Sequence, residues 1–288
     1  MTTIKHISRG ELSLLTVDNA LATATISLQG GQLLAWQPKT QAQPVIWLSP
    51  RAILAPGKAI RGGIPVCWPW FGAHPLDAAQ PAHGYARISP WAVVSNQTAA
   101  DGATEILMCL NLSDADRLRW PQPLALSLRL RIGETLQLDL STHNEGTQSC
   151  LVSEALHSYF QIGDISAVRV VGLEHGRYED KLAPGLRRRQ EGAISFAGEV
   201  DRVYVDTHAA CCIEDDAWRR RIQIDKSGSA STVVWSPWAD KAGKMADLGA
   251  DGWRQMLCVE TANALDNALS LAPGVSHTLS MRCAVQPL

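Results

Sequence analysis

The 288-residue sequence has no excess of charge of either sign. Its 26 lysines and arginines stand against 28 aspartates and glutamates, which gives a net charge of -2 and a pI of about 6.4. A nucleic-acid-binding domain typically carries a basic surface and a high pI, so this balance argues against nucleic acid as a partner. The one basic run, LRRRQ at residues 186–190, is short and is predicted to be a solvated loop.

Long hydrophobic runs are also missing. No stretch reaches the roughly 18 apolar residues of a membrane span, so no membrane partner is expected. The first fifteen residues, MTTIKHISRGELSLL, lack the apolar core and cleavage site of a signal peptide. Seven cysteines, an odd number without framework spacing, predict reduced thiols rather than disulfides. These absences together predict a cytoplasmic protein.

The sequence has no long segment with the 3.6-residue period of an amphipathic helix. Alternation with a period of two dominates instead, as in ALSLRLRI (residues 125–132) and TLQLDLS (residues 135–141). Gly133-Glu134 lies between these two strands and predicts a Gly-X hairpin turn. No linker divides the chain, because strands flank the Gly-, Asp- and Lys-rich segment 238–253, which is predicted to be a long loop. We therefore predict one all-β domain over residues 1–288, a large antiparallel β-sandwich with long loops.

Several motifs that would define a catalytic class are absent. The sequence contains no HxH, HxxxH or HExxH, and Glu154 and His157 would point to opposite faces of a strand, so no metal site is predicted. It has no GxSxG elbow, which weakens a serine hydrolase. It also has no GxxxxGK[ST] phosphate loop.

What the sequence does contain is the stretch IRGGIPVCWPWFG, residues 60–72. Two adjacent glycines, two prolines, two tryptophans and a phenylalanine surround a single charge, Arg61. A charge is unfavourable in a packed core, and bulky tryptophans are unusual in a mobile loop. The question is therefore what a rigidly held arginine would bind.

Four further stretches carry side chains with possible chemistry. PAHGYARISPW contains His83 and Arg87, EALHSYF contains His157, EVDRVYVD contains Asp201, and LCVETAN contains Glu260. Taken alone, His83 fits a turn, His157 fits a satisfied core histidine, and Asp201 fits a turn cap. Glu260 follows the apolar run MLCV, where a carboxylate is costly unless it is paired or functional.

In their order along the chain, IRGGIPVCWPWFG, HGYAR, EALHSYF, VDRVY, VWSPW and CVE resemble the hexose-6-phosphate mutarotases. These form the glucose-6-phosphate 1-epimerase branch of the aldose 1-epimerase superfamily. The resemblance covers about residues 25–283, and the first two motifs are specific to the phosphosugar branch. It implies the galactose mutarotase-like supersandwich. Two positions depart from the pattern: Ala82 replaces a glutamine of some members, and Ser236 replaces the asparagine of WNPW.

The resemblance also implies an activity and a site. The expected reaction is the interconversion of α and β anomers of a hexose 6-phosphate, with glucose 6-phosphate preferred, no cofactor and no metal. His157 matches the general acid and Glu260 the general base. The positions that line the sugar-phosphate site are matched by Arg61, His83, Arg87 and Asp201. The expected partner is the sugar phosphate alone, and the expected state is a monomer.

The chemistry explains why such residues are needed. The base takes the proton of the C1 hydroxyl while the acid protonates the ring oxygen, from opposite sides of the C1–O5 region. Glu260 would be ionised, and His157 could donate because an unperturbed histidine has a pKa of about 6.5. His83 and Asp201 would orient hydroxyls or hold His157 protonated.

The resemblance also implies a role for Arg61, the arginine of residues 60–72. Arg61 would grip the phosphate as a fork, with Arg87 as the second cation. Of Trp68, Trp70 and Phe71, one could face the sugar while the other two pack in the core.

Three alternatives stay open at the level of the sequence. A mutarotase of free aldoses would need no arginine pair. A non-catalytic sugar-phosphate-binding protein would not need both His157 and Glu260. A glycoside hydrolase would need paired carboxylates, which Asp201 and Glu260 could supply, but His157 would then be unexplained.

Overall fold

The structure, a computed structural model, describes residues 2–288 and consists almost entirely of β-strands. In chain order the strands are β1 (Thr3–Arg9), β2 (Leu12–Asp18), β3 (Ala22–Ser27), β4 (Gln32–Pro38), β5 (Val66–Cys67), β6 (Trp91–Thr98), β7 (Thr104–Leu110), β8 (Leu124–Ile132), β9 (Leu136–Asn144), β10 (Cys150–Val152), β11 (Glu154–Leu156), β12 (Tyr159–Gln161), β13 (Val168–Val171), β14 (Arg177–Asp180), β15 (Arg187–Arg189), β16 (Ile194–Ser195), β17 (Val200–Val205), β18 (Cys211–Asp215), β19 (Arg220–Ser227), β20 (Ser231–Ser236), β21 (Met256–Asn263), β22 (Leu269–Leu271) and β23 (Ser276–Pro287).

Helices are few and short. The two α-helices are α1 (Asp114–Arg119) and α2 (Trp238–Ala242). Single 3₁₀ turns occupy Ala86–Ile88, Ile165–Ala167, Gly252–Gln255 and Leu265–Asn267. Within residues 2–288, no helix is long and apolar enough to cross a membrane.

Two large sheets form the body of the molecule. One has the strand order β15-β14-β17-β20-β21-β11-β5, with β12 also paired to β21, and the other has the order β16-β13-β18-β19-β23-β9-β8-β7-β6. A four-stranded sheet, β1-β2-β3-β4, and the pair β10-β22 complete the fold. Every pairing between these strands is antiparallel, which confirms the predicted all-β antiparallel architecture.

The period-two alternation predicts β8 and β9 well because the nine-stranded sheet buries one face of these strands against the core. In β8 and β9 the leucines are buried while the residues between them are mostly half-buried. These leucines share one hydrophobic cluster with residues of β20 and β21 from the other sheet. That cluster runs from Leu15 to Cys283, so both sheets contribute to the same core.

Three local predictions need correction. Ile132 pairs with Leu136, so the β8–β9 connection has three residues, and Gly133 lacks the positive φ of a Gly-X turn. Within the basic run 186–190, residues Arg187–Arg189 form an exposed edge strand, β15, rather than a loop. The segment 238–253 contains α2 and a 3₁₀ turn instead of being loop throughout.

Glu154, on β11, is a buried carboxylate between the two large sheets. It accepts hydrogen bonds from Asn263 Nδ2 at 3.1 Å and from Thr142 Oγ1 at 3.5 Å, and His277 Nε2 lies 3.4 Å away. Burial raises the pKa of Glu154 to about 7, although the bonds from Asn263 and Thr142 act in the opposite direction. The folded protein therefore retains a proton that the unfolded chain loses at lower pH.

We expect this carboxyl group to make the protein less stable as the pH rises from about 4.5 to about 7. Below that window both states are protonated and the stabilisation is complete; above it both are ionised and it is lost. At about 1.4 kcal/mol for each pH unit, the loss amounts to about 3 kcal/mol. Glu154→Gln should remove this dependence, which urea unfolding at pH 5 and pH 8 would measure. Parallel pH profiles for the variant and the wild-type protein would contradict this assignment.

Candidate active site

Glu260 and His157 lie side by side in the middle of the eight-stranded sheet. Glu260 belongs to β21, in which every residue is buried, and His157 directly follows the neighbouring strand β11. His157 Nε2 lies 3.4 Å from Glu260 Oε1, and the two side chains are only 10% and 1% exposed. Two ionisable groups are thus held in contact at a place where water is largely excluded.

The contact changes the expected geometry of the pair. With 3.4 Å between their nearest atoms, His157 and Glu260 cannot flank a sugar ring from opposite sides. Both side chains lie on one wall of the site and can contact a ligand only from the same side. This arrangement still suits the expected chemistry, because O1 and O5 of a pyranose are bonded to the same carbon and are themselves neighbours.

Burial also changes the expected protonation of the pair. Desolvation lowers the pKa of His157 well below its usual value, and His83, Arg87 and Arg61 lower it further. Desolvation raises the pKa of Glu260, as does Asp201, while Arg87 opposes this rise. The protein alone therefore favours a neutral imidazole beside a protonated carboxyl group, not the charged pair that the sequence suggested.

A cavity of about 280 Å³ opens beside the pair. That volume lies near the lower end of the roughly 300–1,000 Å³ of ligand sites, so it matches one small molecule. Five of the six predicted site residues line it, namely Arg61, His83, His157, Asp201 and Glu260. Phe71 and Trp235 contribute aromatic surface, and two lysines that sequence reasoning missed, Lys181 and Lys241, also line the wall.

Arg61 is held at the cavity by side chains from distant parts of the chain. Its Nε donates to Asp247 Oδ2 at 3.1 Å and its Nη1 donates to the Tyr159 hydroxyl at 3.0 Å. Burial lowers the pKa of Arg61, but Tyr159 and Asp247 more than offset this and raise it overall. Gly63 permits the close approach of this loop to β4, since a Cβ there would lie 2.3 Å from the Leu33 carbonyl oxygen.

His83 lies on the same wall as a neutral side chain. Burial lowers the pKa of His83 to about 3, with Arg87 and Arg61 acting in the same direction. The Gly72 N–H donates to His83 Nδ1 at 3.3 Å, which leaves Nε2 as the protonated nitrogen of the neutral ring. The residue after His83 has to be a glycine, because a Cβ at Gly84 would lie 1.9 Å from the Trp68 carbonyl oxygen. His83 can therefore offer a hydrogen bond to a hydroxyl but no charge to a phosphate.

Arg87 does not line the cavity, in contrast to the other five predicted residues. Its Nη2 donates to the Ala82 carbonyl oxygen at 2.7 Å, and its Nε is buried without a partner among residues 2–288. Its charge nevertheless opposes the rise in the Glu260 pKa. Arg87 therefore acts on the pair through its charge, without lining the cavity.

Asp201, on β17, lies near Lys241 and acts on Glu260. Burial raises the pKa of Asp201, and Lys241, 3.9 Å away, lowers it. The Asp201 charge raises the pKa of Glu260. Lys241 also contacts Glu199 at 2.6 Å, so it links two carboxylates at the rim.

The aromatic residues of the Arg61 stretch divide as expected into packing and lining. Trp68 is fully buried, Trp70 is 7% exposed, and both belong to the main core. Phe71 lines the cavity and meets His83 edge to face at 4.9 Å. Tyr159, for which no motif predicted a role, stacks on His157 with ring centroids 4.8 Å apart and thereby fixes the imidazole plane.

Comparison with known proteins agrees with this fold. The profile of the family described as Aldose 1-epimerase matches residues 13–284. A protein of Escherichia coli K12 named "putative glucose-6-phosphate 1-epimerase" is 38% identical over 258 residues, which cover 88% of this chain and 84% of that protein. A protein of Salmonella typhimurium LT2 with the same name is 36% identical, with the same coverage.

Solved structures give the same result. The crystal structure described as a "putative mutarotase" from Salmonella typhimurium superposes with a TM-score of 0.92 at 31% identity, covering 99% of this chain and 94% of that one. A galactose mutarotase-like protein from Clostridium acetobutylicum has a TM-score of 0.76 at 15% identity, covers 100% of this chain and 99% of its own, and shares the fold. The fold is thus that of the galactose mutarotase-like proteins.

The chain belongs to the aldose 1-epimerase family. It is accordingly an isomerase, a mutarotase that acts at the anomeric carbon of a sugar.

Proposed function

We propose that the protein interconverts the α and β anomers of a hexose 6-phosphate, with glucose 6-phosphate as the expected substrate. The observation that carries this proposal is the cavity itself, in which a contacting His157–Glu260 pair and a held arginine, Arg61, share one wall. The pair supplies acid–base chemistry, and the arginine supplies a site for the phosphate. The relatives named for glucose 6-phosphate support the same substrate.

The proposed reaction needs only proton transfers. Glu260 takes the proton of the C1 hydroxyl while His157 Nε2 gives a proton to the ring oxygen O5. The C1–O5 bond breaks, its electron pair stays on O5, and C1 becomes an aldehyde carbon. Rotation about C1–C2 presents the other face of the aldehyde. The reverse transfers then close the ring as the second anomer, without a cofactor or a metal.

The electrostatics of the pair favour the open-chain stage of this reaction. Before ring opening the reactive pair is an imidazolium beside a carboxylate, and after it the pair is neutral. Burial favours the neutral pair, so desolvation stabilises the stage that is least stable for the free sugar. A phosphate beside Arg61 would also cancel part of the charge that keeps the His157 pKa low. The phosphate of the proposed substrate thus raises the pKa of His157 and favours the protonated form that donates to O5.

The proposal also covers the domain organisation, the oligomeric state and the location of the protein. We treat residues 1–288 as one domain, supported by a core cluster that runs from Leu15 to Cys283. The His157–Glu260 pair and Arg61 line one cavity, and we propose that the protein acts as a monomer. All seven cysteines are free thiols, which suits a cytoplasmic location.

Arg61→Ala tests the phosphate assignment. A hydrogen bond to a charged group is worth about 1.5–3 kcal/mol, so KM for glucose 6-phosphate should rise roughly 10- to 150-fold. Anomer exchange of unphosphorylated glucose should hardly change. Arg188→Ala is the matched control, because Arg188 is exposed on β15 and has no side-chain partner among residues 2–288. An equal loss on both sugars would make Arg61 part of the scaffold and favour a mutarotase of free aldoses.

A further inference from the structure

Asp247 is a charged residue in contact with Arg61 that the proposed reaction does not use. It follows α2 in the segment between β20 and β21, far from Arg61 in sequence. Its Oδ2 accepts the Arg61 Nε–H at 3.1 Å, and the two side chains are 24% and 25% exposed. A carboxylate beside the proposed phosphate grip is unexpected, because it carries the same sign of charge as the ligand.

The backbone holds Asp247 beside Arg61 as well. The Ser49 hydroxyl donates to the Asp247 carbonyl oxygen at 2.6 Å, and the Ser49 N–H donates to the Arg61 carbonyl oxygen at 3.1 Å. The next residue, Leu248, is fully buried. Ser49, Arg61 and Asp247 therefore form a closed ring of contacts, in which the carboxylate has a fixed position relative to the guanidinium.

The contacts leave a defined part of the Arg61 guanidinium available. The group has five N–H donors. One points from Nε to Asp247 and one points from Nη1 to Tyr159, whose ring is packed between Trp47 and His157. The three remaining donors are on Nη1 and Nη2, the pair of nitrogens that can grip two phosphate oxygens together.

We propose that Asp247 is a positioning residue for phosphate recognition: it holds Arg61 so that the Nη1–Nη2 edge faces the cavity before the ligand arrives. The inference rests on the proposed function, in which Arg61 binds the phosphate. An arginine side chain loses much rotational freedom when it is fixed, and fixing it in advance reduces that loss on binding. The carboxylate occupies Nε and leaves the forked edge to the ligand.

If Asp247 positions Arg61, loss of its carboxylate should weaken phosphate binding. If Asp247 instead competes with phosphate for Arg61, the same loss should strengthen phosphate binding. Two variants separate these possibilities. Asp247→Ala removes the acceptor and frees the guanidinium, and KM for glucose 6-phosphate should rise about 3- to 30-fold with kcat changed less than about twofold. Asp247→Asn keeps an oxygen that accepts the Nε–H, and it should restore KM to near the wild-type value. Asp251→Ala is the matched control, because Asp251 is exposed in the same segment and has no side-chain hydrogen bond.

Calorimetric titration with inorganic phosphate gives a readout that does not depend on turnover. The Kd for phosphate should rise in Asp247→Ala by a factor similar to that for KM, and adding Asp247→Ala to Arg61→Ala should change nothing further. If the wild-type protein exchanges no anomers but Asp247→Ala still weakens phosphate binding, the proposed function fails and the positioning role stands. Unchanged or tighter binding in Asp247→Ala would overturn the inference. So would an equal loss with unphosphorylated glucose, or a fall in Tm that explains the weaker binding.

Discussion

Glu260→Gln is expected to lower kcat for anomer exchange by about 10²–10⁴-fold while the protein stays folded. Glutamine has the size of glutamate and can still form hydrogen bonds, but it cannot take the proton of the C1 hydroxyl. KM should change little, because the loss falls on proton transfer in the transition state. Exchange spectroscopy by NMR measures the rate, and thermal melting of the same sample reports the fold.

The fold should survive this substitution for a physical reason. Glu260 is buried, and the protein alone favours its protonated form, so glutamine replaces a neutral group by another neutral group of nearly the same shape. Glu154→Gln is the matched control, since Glu154 is equally buried in the adjacent strand but does not line the cavity. A folded Glu260→Gln protein with near wild-type turnover would eliminate Glu260 as the base and make Asp201 the next candidate.

His157→Gln is expected to cause a loss of similar size, about 10²–10⁴-fold in kcat. The glutamine amide keeps an N–H near the position of Nε2 but cannot release its proton to the ring oxygen. Because the two residues act as one unit, the variant that combines His157→Gln with Glu260→Gln should lose little more than either single variant.

A control variant distinguishes the effect of His157→Gln from the effect of replacing a histidine elsewhere in the protein. His6→Gln, on the exposed edge strand β1, should have wild-type activity. If the combined variant instead shows the product of the two single losses, His157 and Glu260 act independently, and the account of a shared proton transfer is wrong.

The strands could be predicted from the sequence because burial of one sheet face imposes a period of two. The leucines of β8 and β9 are the clearest case, since each one is buried against the opposite sheet. The edge strand β15 could not be predicted in this way. Its three residues are all arginines, all are exposed, and it is held by pairing with β14 rather than by an apolar face.

The site was predicted in part. The motifs locate residues that approach the cavity from separate loops and strands, and five of the six do line it. Lys241 and Asp247 carry no local signal except an unusual density of charge between two buried strands. Their roles depend on contacts with Asp201 and Arg61, which only the folded chain brings about.

The protonation of the pair could not be predicted from the sequence at all. A reference pKa for histidine assumes contact with water, whereas His157 is largely enclosed by protein. The shift arises from burial and from the charges of Arg61 and Arg87, which are set by the three-dimensional arrangement. The same holds for the single wall formed by His157 and Glu260.

One measurement tests the central claim most directly. Freshly dissolved α-glucose 6-phosphate and, separately, α-glucose are followed by NMR with the purified wild-type protein, and the rates of anomer exchange are compared with those in buffer. The account predicts rapid, protein-dependent exchange of glucose 6-phosphate and a much higher kcat/KM for it than for glucose. Exchange of glucose 6-phosphate at the buffer rate, under conditions in which the protein is folded, would contradict it.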